Sequence, residues 1–261
     1  MKRTYVKLLT VAGLTGCFPF TSCRSAQETT ARYEISKVEG NMITIDSTWD
    51  ANPDKKATTV LKPYKDKVDA MMYEVIGTSE MKMDKGTPES LLSNLVASVL
   101  QEAAAQVLGK PADMGLVNMG GLRNILPKGD ITVGAVFEIL PFENSLCVLT
   151  MKGTDMKRLF KAIASLHGEG VSGIRLEINK KGELLNATIG GKPVVDDQLY
   201  TVATIDYLAD GNGRMDAFLQ AEKRECPEDA TLRGLFLDYV RKQTAEGKII
   251  TSKLDGRITV K

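Results

Sequence analysis

Two hydrophobic periods run along the chain and sort it into elements. Behind Pro88-Glu89-Ser90, residues Leu91, Leu92, Leu95, Val96, Val99, Leu100 and Ala103 to Ala105 recur at helical spacing, and Gly109 with Pro111 behind it stops the run. The same period puts Met156, Leu159, Phe160, Ile163 and Leu166 on one face of a helix over 154–167. It also predicts a helix over 231–243, a short one over 131–139 and a helix entry from Thr58 to about Met72. Alternating or continuous apolar runs predict strands at 73–79, 113–118, 146–151 and 174–178. Two or three more fall within 184–204, turning at Gly190-Gly191, and a last one lies at 257–260. Residues 32–46 alternate around Tyr33, Ile35, Val38, Met42, Ile43 and Ile45, with Glu39-Gly40-Asn41 between, which predicts a hairpin. Strands adjacent in sequence are thus mixed with helices, an α+β class and not a strict βαβ array.

The first residues read differently. Lys2 and Arg3 precede an apolar run from Val6 that is too short, and too broken by Pro19, to span a membrane. This is an export signal, and two cysteines close it in lipobox-like strings, Leu14-Thr15-Gly16-Cys17 and Phe20-Thr21-Ser22-Cys23. Cys23 is the preferred lipidation site because a polar stretch follows it. Cys17 and simple secretion with cleavage elsewhere are the alternatives. The expected organisation is a signal peptide over 1–23, a tether over 24–31 and one domain over 32–261. An oxidising compartment permits a disulfide between Cys147 and Cys226, but Cys147 sits in an apolar run, and a buried free thiol is the expected state.

Composition narrows the chemistry. Among 261 residues, 34 Lys+Arg nearly balance 33 Asp+Glu, so no basic excess marks a nucleic-acid partner. The single histidine, His167, and four cysteines leave little material for a transition-metal site in this chain. His167 ends the 154–167 helix and reads as a helix-end or surface residue.

Two motifs mislead. Gly168-Glu169-Gly170-Val171-Ser172-Gly173 matches G-x-G-x-x-G, yet it follows a helix and precedes a strand, the reverse of a dinucleotide fingerprint, and is read as a flexible loop. Asp210-Gly211-Asn212-Gly213 begins like a calcium loop, but Arg214 occupies the next ligand position.

Three segments do carry a constellation: Asn118-Met119-Gly120-Gly121-Leu122-Arg123, Leu140-Pro141-Phe142-Glu143-Asn144-Ser145, and Asp206 through Gly213. Each follows an apolar element and ends in polar or glycine-rich sequence. Gly120 and Gly121 let backbone approach a ligand, and Asn118, Arg123 and Asn144 offer donors and acceptors. Phe142 and Tyr207 are placed to sandwich a planar base. The alternative is that these are plain turns with Phe142 in the core.

The string N-x-G-G-[IL]-R at 118–123, Gly129 to Thr132, then L-P-F-x-N at 140–144 and Y-L-A-D-G-x-G at 207–213 resembles the C-terminal domain of 5′-nucleotidases, and Pro88 to Leu100 resembles that domain's opening helix. The resemblance implies a layered α/β/β/α sandwich. It makes Asn118 and Arg123 polar substrate contacts, Phe142 and Tyr207 the base clamp and Asn144 a further base contact. Asn212 falls nearest the position of a ribose-binding aspartate, and Leu91-Leu92 stand where many members carry an arginine.

Full-length members add a two-metal phosphatase domain rich in His and Asp. With one histidine and no length for that domain, this chain is expected to have no catalytic residues, no metal and no cofactor of its own. It is expected to be inactive alone, with divalent metals on a separately encoded metallophosphatase partner. The resemblance implies the nucleoside- or nucleotide-binding half of such a hydrolase, an exported lipoprotein in the periplasm or at the cell surface. A non-catalytic binding lipoprotein and an interaction domain with a decayed pocket are the alternatives.

Overall fold

The computed structural model describes residues 34–261. The expected signal peptide and tether, with Cys17 and Cys23, lie outside the described residues. Two compact units divide at Pro53 and Asp54.

In the first unit, residues 34–45 carry no regular secondary structure and are exposed throughout. The hairpin expected over 32–46 is therefore not formed by the described residues. Alternation alone does not make a strand pair, because an isolated two-stranded hairpin is marginal without a face to pack on. Among the described residues of this unit the one regular element is a 3₁₀ turn over Ser47–Ala51. Asp46 caps it by accepting the Thr48 amide at 3.0 Å.

The second unit holds the fold. Its elements are α1 (Lys55–Met72), β1 (Val75–Ser79), α2 (Leu91–Ala103), α3 (Ala105–Leu108), β2 (Met114–Val117), β3 (Gly129–Thr132), α4 (Val133–Ile139), β4 (Leu146–Lys152) and α5 (Gly153–Ser165). There follow β5 (Gly170–Ser172), β6 (Ile174–Ile178), β7 (Leu184–Ile189), β8 (Lys192–Pro193), β9 (Leu199–Ile205), α6 (Asp206–Ala209), β10 (Lys223–Glu225), α7 (Leu232–Ala245) and β11 (Ile258–Val260). Helix α1 starts three residues before the expected entry because Asp54 caps it, accepting the Ala57 amide at 2.8 Å. The long helix predicted to Leu108 breaks into α2 and α3 at Ala104, and Gly109 ends α3 in the left-handed conformation, φ 69°. The helix predicted over 131–139 begins only at Val133, after Ile131 and Thr132 have completed β3 against β1.

Strands β10-β4-β9-β2-β5 form one sheet, β11-β6-β7-β8 a second, and β1-β3 a small antiparallel pair. The α+β class is the one expected. Helix α2 packs on β2, β5 and β9, while α5 packs on β4 and β9 of the first sheet and on β6 and β7 of the second. Helix α5 thus contacts both sheets. Close approach of α2 depends on Gly115: a Cβ there would meet the Ala97 carbonyl oxygen at 2.2 Å. The core is continuous, with Leu92, Val96, Leu100, Leu116, Leu149, Phe160, Val202 and Phe236 inaccessible or nearly so.

Two elements escape sequence patterning. Strand β5 lies inside the segment read as a loop, since Gly170-Val171-Ser172 has one apolar residue; a Cβ on Gly170 would meet Val117 Cγ1 at 2.6 Å. Strand β10 is Lys223-Arg224-Glu225, wholly polar, and pairs with β4. That pairing overturns the free-thiol expectation. Glu225 lies opposite Val148, so the next residue, Cys226, comes beside Cys147, and the two form a disulfide with Cα atoms 4.2 Å apart.

Candidate functional site

Register gathers the three motif segments. Strands β2 and β9 are parallel neighbours, with Met114 opposite Val202, so both end at the same edge of the sheet. Strand β4 runs antiparallel to β9, with Leu146 opposite Ile205, and therefore begins there. Asn118 follows β2, the 140–145 loop precedes β4, and Asp206 follows β9. The three loops enclose a cavity of about 340 Å³ lined by Asn118, Gly120, Gly121, Phe142, Asn144 and Tyr207.

Phe142 and Tyr207 are 49% and 43% exposed, so neither aromatic is a core residue. The plain-turn alternative, with Phe142 in the core, does not describe this loop. Arg123 stands at the rim, its Cζ 5.9 Å from the Phe142 ring centroid and its Nη1 donating to the Gly120 carbonyl at 3.3 Å. Asn118 precedes a 3₁₀ turn over Met119–Gly121. A Cβ on Gly121 would come within 3.0 Å of Asn118 Oδ1, and one on Gly120 within 3.4 Å of Nδ2, so the glycine pair admits this amide. Oδ1 is buried and has no hydrogen-bond partner.

Asn212 is not brought in. Its exposed side chain does not line the cavity, and it opens a 3₁₀ turn whose first carbonyl accepts the Met215 amide at 3.2 Å. That loop still borders the site, for a Cβ on Gly213 would lie 3.8 Å from Tyr207 Cε1. Asp210 is paired with Arg224 of β10 at 2.7 Å, and Arg224 Nε donates to Cys226 Sγ at 3.2 Å. His167 is exposed just past α5, as expected of a helix-end residue.

Four residues that build the site were missed by pattern reading. Arg233, in the first turn of α7, is only 8% exposed. It donates through Nη1 to the carbonyls of Leu140 and Pro141 at 3.1 and 3.2 Å and through Nη2 to Glu143. Its guanidinium sits 4.1 Å over the Phe137 ring. Asp206 accepts Asn144 Nδ2 at 2.8 Å. Glu169, just before β5, accepts the Met119 amide. Burial pushes its carboxyl above the usual range, while that amide bond pulls the other way. Lys85 donates to the carbonyls of Met119 and Leu122. Glu169 lay in the G-x-G-x-x-G string, which belongs to a strand entry and not a phosphate loop, and Asp206 opens the third motif segment without having been given a role there. The contacts of Arg233, Asp206 and Lys85 act across 34 to 93 residues, beyond any local pattern.

The family described as "5′-nucleotidase, C-terminal domain" matches residues 75–220. A cell wall protein of Listeria monocytogenes is 27% identical over 240 residues, 81% of this chain and 30% of that protein. The trifunctional nucleotide phosphoesterase protein of Bacillus subtilis is 27% identical over 245 residues, 86% of this chain and 16% of that one. The crystal structure of a 5′-nucleotidase precursor from Thermus thermophilus superposes with a TM-score of 0.67 at 26% identity, covering 81% of this chain and 44% of the other. The chain thus spans less than a third of these two curated relatives and under half of the solved one. With the match covering more than half of its residues, the chain belongs to the family of 5′-nucleotidase C-terminal domains.

Proposed function

We propose that this chain is the nucleoside- or nucleotide-binding half of a 5′-nucleotidase-type hydrolase, acting in nucleotide catabolism with a separately encoded metallophosphatase subunit. The observation that carries the reading is the single cavity gathering two half-exposed aromatics, two asparagines and two glycines. Phe142 and Tyr207 take the faces of a base, each contact contributing about 1–3 kcal/mol. Asn118 Oδ1 accepts from a ligand hydroxyl or N–H, and Arg123 supplies donors at the rim. Hydrolysis and its divalent metals are assigned to the partner, since the one imidazole stands exposed past α5.

The phosphoesterase relative supports a nucleotide as ligand. The cell wall relative and the disulfide support an exported location, periplasmic or at the cell surface. Lipidation at Cys23 belongs to the same proposal. Two assays test it. Adding this protein to a metallophosphatase encoded beside its gene raises nucleotide hydrolysis above the partner alone; no gain removes the partner reading. Calorimetry with nucleosides gives binding heat that Phe142→Ala and Tyr207→Ala each weaken by about 1–3 kcal/mol. No heat with any nucleoside, or unchanged affinity in both variants, removes the binding reading.

A second reading, capture without catalysis, is favoured by Asn212, which leaves the expected ribose position outside the cavity lining. Binding heat without any gain in partner hydrolysis is its signature.

A further inference from the structure

Asn144 is held on both its main chain and its side chain. Its carbonyl accepts the Leu232 amide at 2.8 Å. Its Nδ2 donates to Asp206 Oδ1 at 2.8 Å, and the same oxygen accepts the Tyr207 amide at 2.7 Å. Asp206 is itself tied down, its amide donating to the Ser145 carbonyl at 2.9 Å.

A primary amide has a donor end and an acceptor end of nearly equal shape, and its partner decides which way it turns. A carboxylate only accepts. Asp206 therefore draws Nδ2 to itself and leaves Oδ1 as the free acceptor of a side chain that lines the cavity. Asn118 Oδ1, buried in the same lining without a partner, is a second acceptor in need of a donor. Both amides thus offer a ligand an unused oxygen, and one of the two is oriented by a residue outside the lining.

We infer that Asp206 is a positioning residue that sets base specificity: by fixing the Asn144 amide it makes the cavity read an N–H donor, so the preferred ligands are nucleosides whose base turns such a donor to it, as the exocyclic amino group of adenine does. This rests on the nucleoside reading above. The contact of Asn144 with a base belongs to that reading; the selection of a donor edge through Asp206 is the added step.

Adenosine and purine riboside differ only in the 6-amino group and serve as probes. In calorimetry the full chain binds adenosine about five- to tenfold more tightly than purine riboside, the range of one net hydrogen bond. In Asp206→Ala the oxygen that takes both Asn144 Nδ2 and the Tyr207 amide is removed. The Asn144 amide is then free to turn either end to the ligand, so the preference falls to about one. Asn144→Ala, which makes no demand on the Asp206 loop, likewise brings the ratio to about one by weakening adenosine alone. Thermal midpoints confirm that both variants fold. Equal binding of the two probes by the parent chain, or a preference kept in Asp206→Ala or Asn144→Ala, overturns the inference and leaves nucleoside binding standing. Binding of neither probe overturns both.

Discussion

Glu169 shows how a single residue serves the site without lining it. It precedes β5, whose first residue, Gly170, lies opposite Val117 at the end of β2. Its carboxylate therefore reaches the amide of Met119, in the turn that carries Gly120 and Gly121. Burial raises its carboxyl above the ordinary value of 4.5. A folded-state value above the unfolded one gives stability that is fully present below the unfolded value and lost as pH rises through the folded one. Glu169→Gln keeps an acceptor for Met119 but carries no charge. The thermal midpoint of the parent chain, taken relative to that variant, is expected to fall as pH rises from about 4 to about 8. A difference that stays constant across that range would contradict the burial argument.

At the scale of elements, the loop before β4 owes its shape to α7. Residues 140–143 have no regular structure, and Arg233 spans them with two carbonyl contacts and the Glu143 carboxylate while resting on Phe137. Phe142 lies between the residues so held. Because the Glu143 side chain is 73% exposed, the ion pair itself adds little, and the carbonyl contacts, that of buried Leu140 above all, dominate. Arg233→Met strands those acceptors and is expected to cost about 2–4 kcal/mol in urea unfolding, with weaker nucleoside affinity. Arg233→Lys recovers only part, because an ammonium cannot fork between Leu140, Pro141 and Glu143. A variant as stable as the parent would show that the loop holds its shape without α7.

Across the whole molecule, one covalent tie secures an element with no apolar residues. Strand β10 is an edge strand of the five-stranded sheet, and Cys226 beyond it is bonded to the buried Cys147 across a separation of 79 residues. On the loop-entropy account such a crosslink contributes about 4–5 kcal/mol. Replacing both cysteines by alanine is expected to lower the urea unfolding free energy by that order, and reducing agent to shift the parent chain but not the variant. Midpoints identical with and without reductant would mean that the thiols are unpaired. The same tie reaches the site, because Arg224 joins Cys226 to Asp210 and so to the loop beside Tyr207.

The sequence by itself determined what depends on local order. The helical period of α2, α5 and α7, the apolar runs of β2, β4 and β9 and the Gly109 stop are written in consecutive residues. So was most of the site: Asn118, Gly120, Gly121, Phe142, Asn144 and Tyr207 share one cavity because each follows or precedes a strand that ends at the same sheet edge. Tertiary structure decided the rest, where the partner is distant or the signal is weak. Polar β10, glycine-led β5 and the disulfide exist because β4 and β2 offer unpaired edges. The alternating residues 34–45 took no regular structure. Which way the Asn144 amide faces is likewise set from outside its own segment. Asp206 lies 62 residues away, and a hydrogen bond between them forms only when β4 and β9 pair in register.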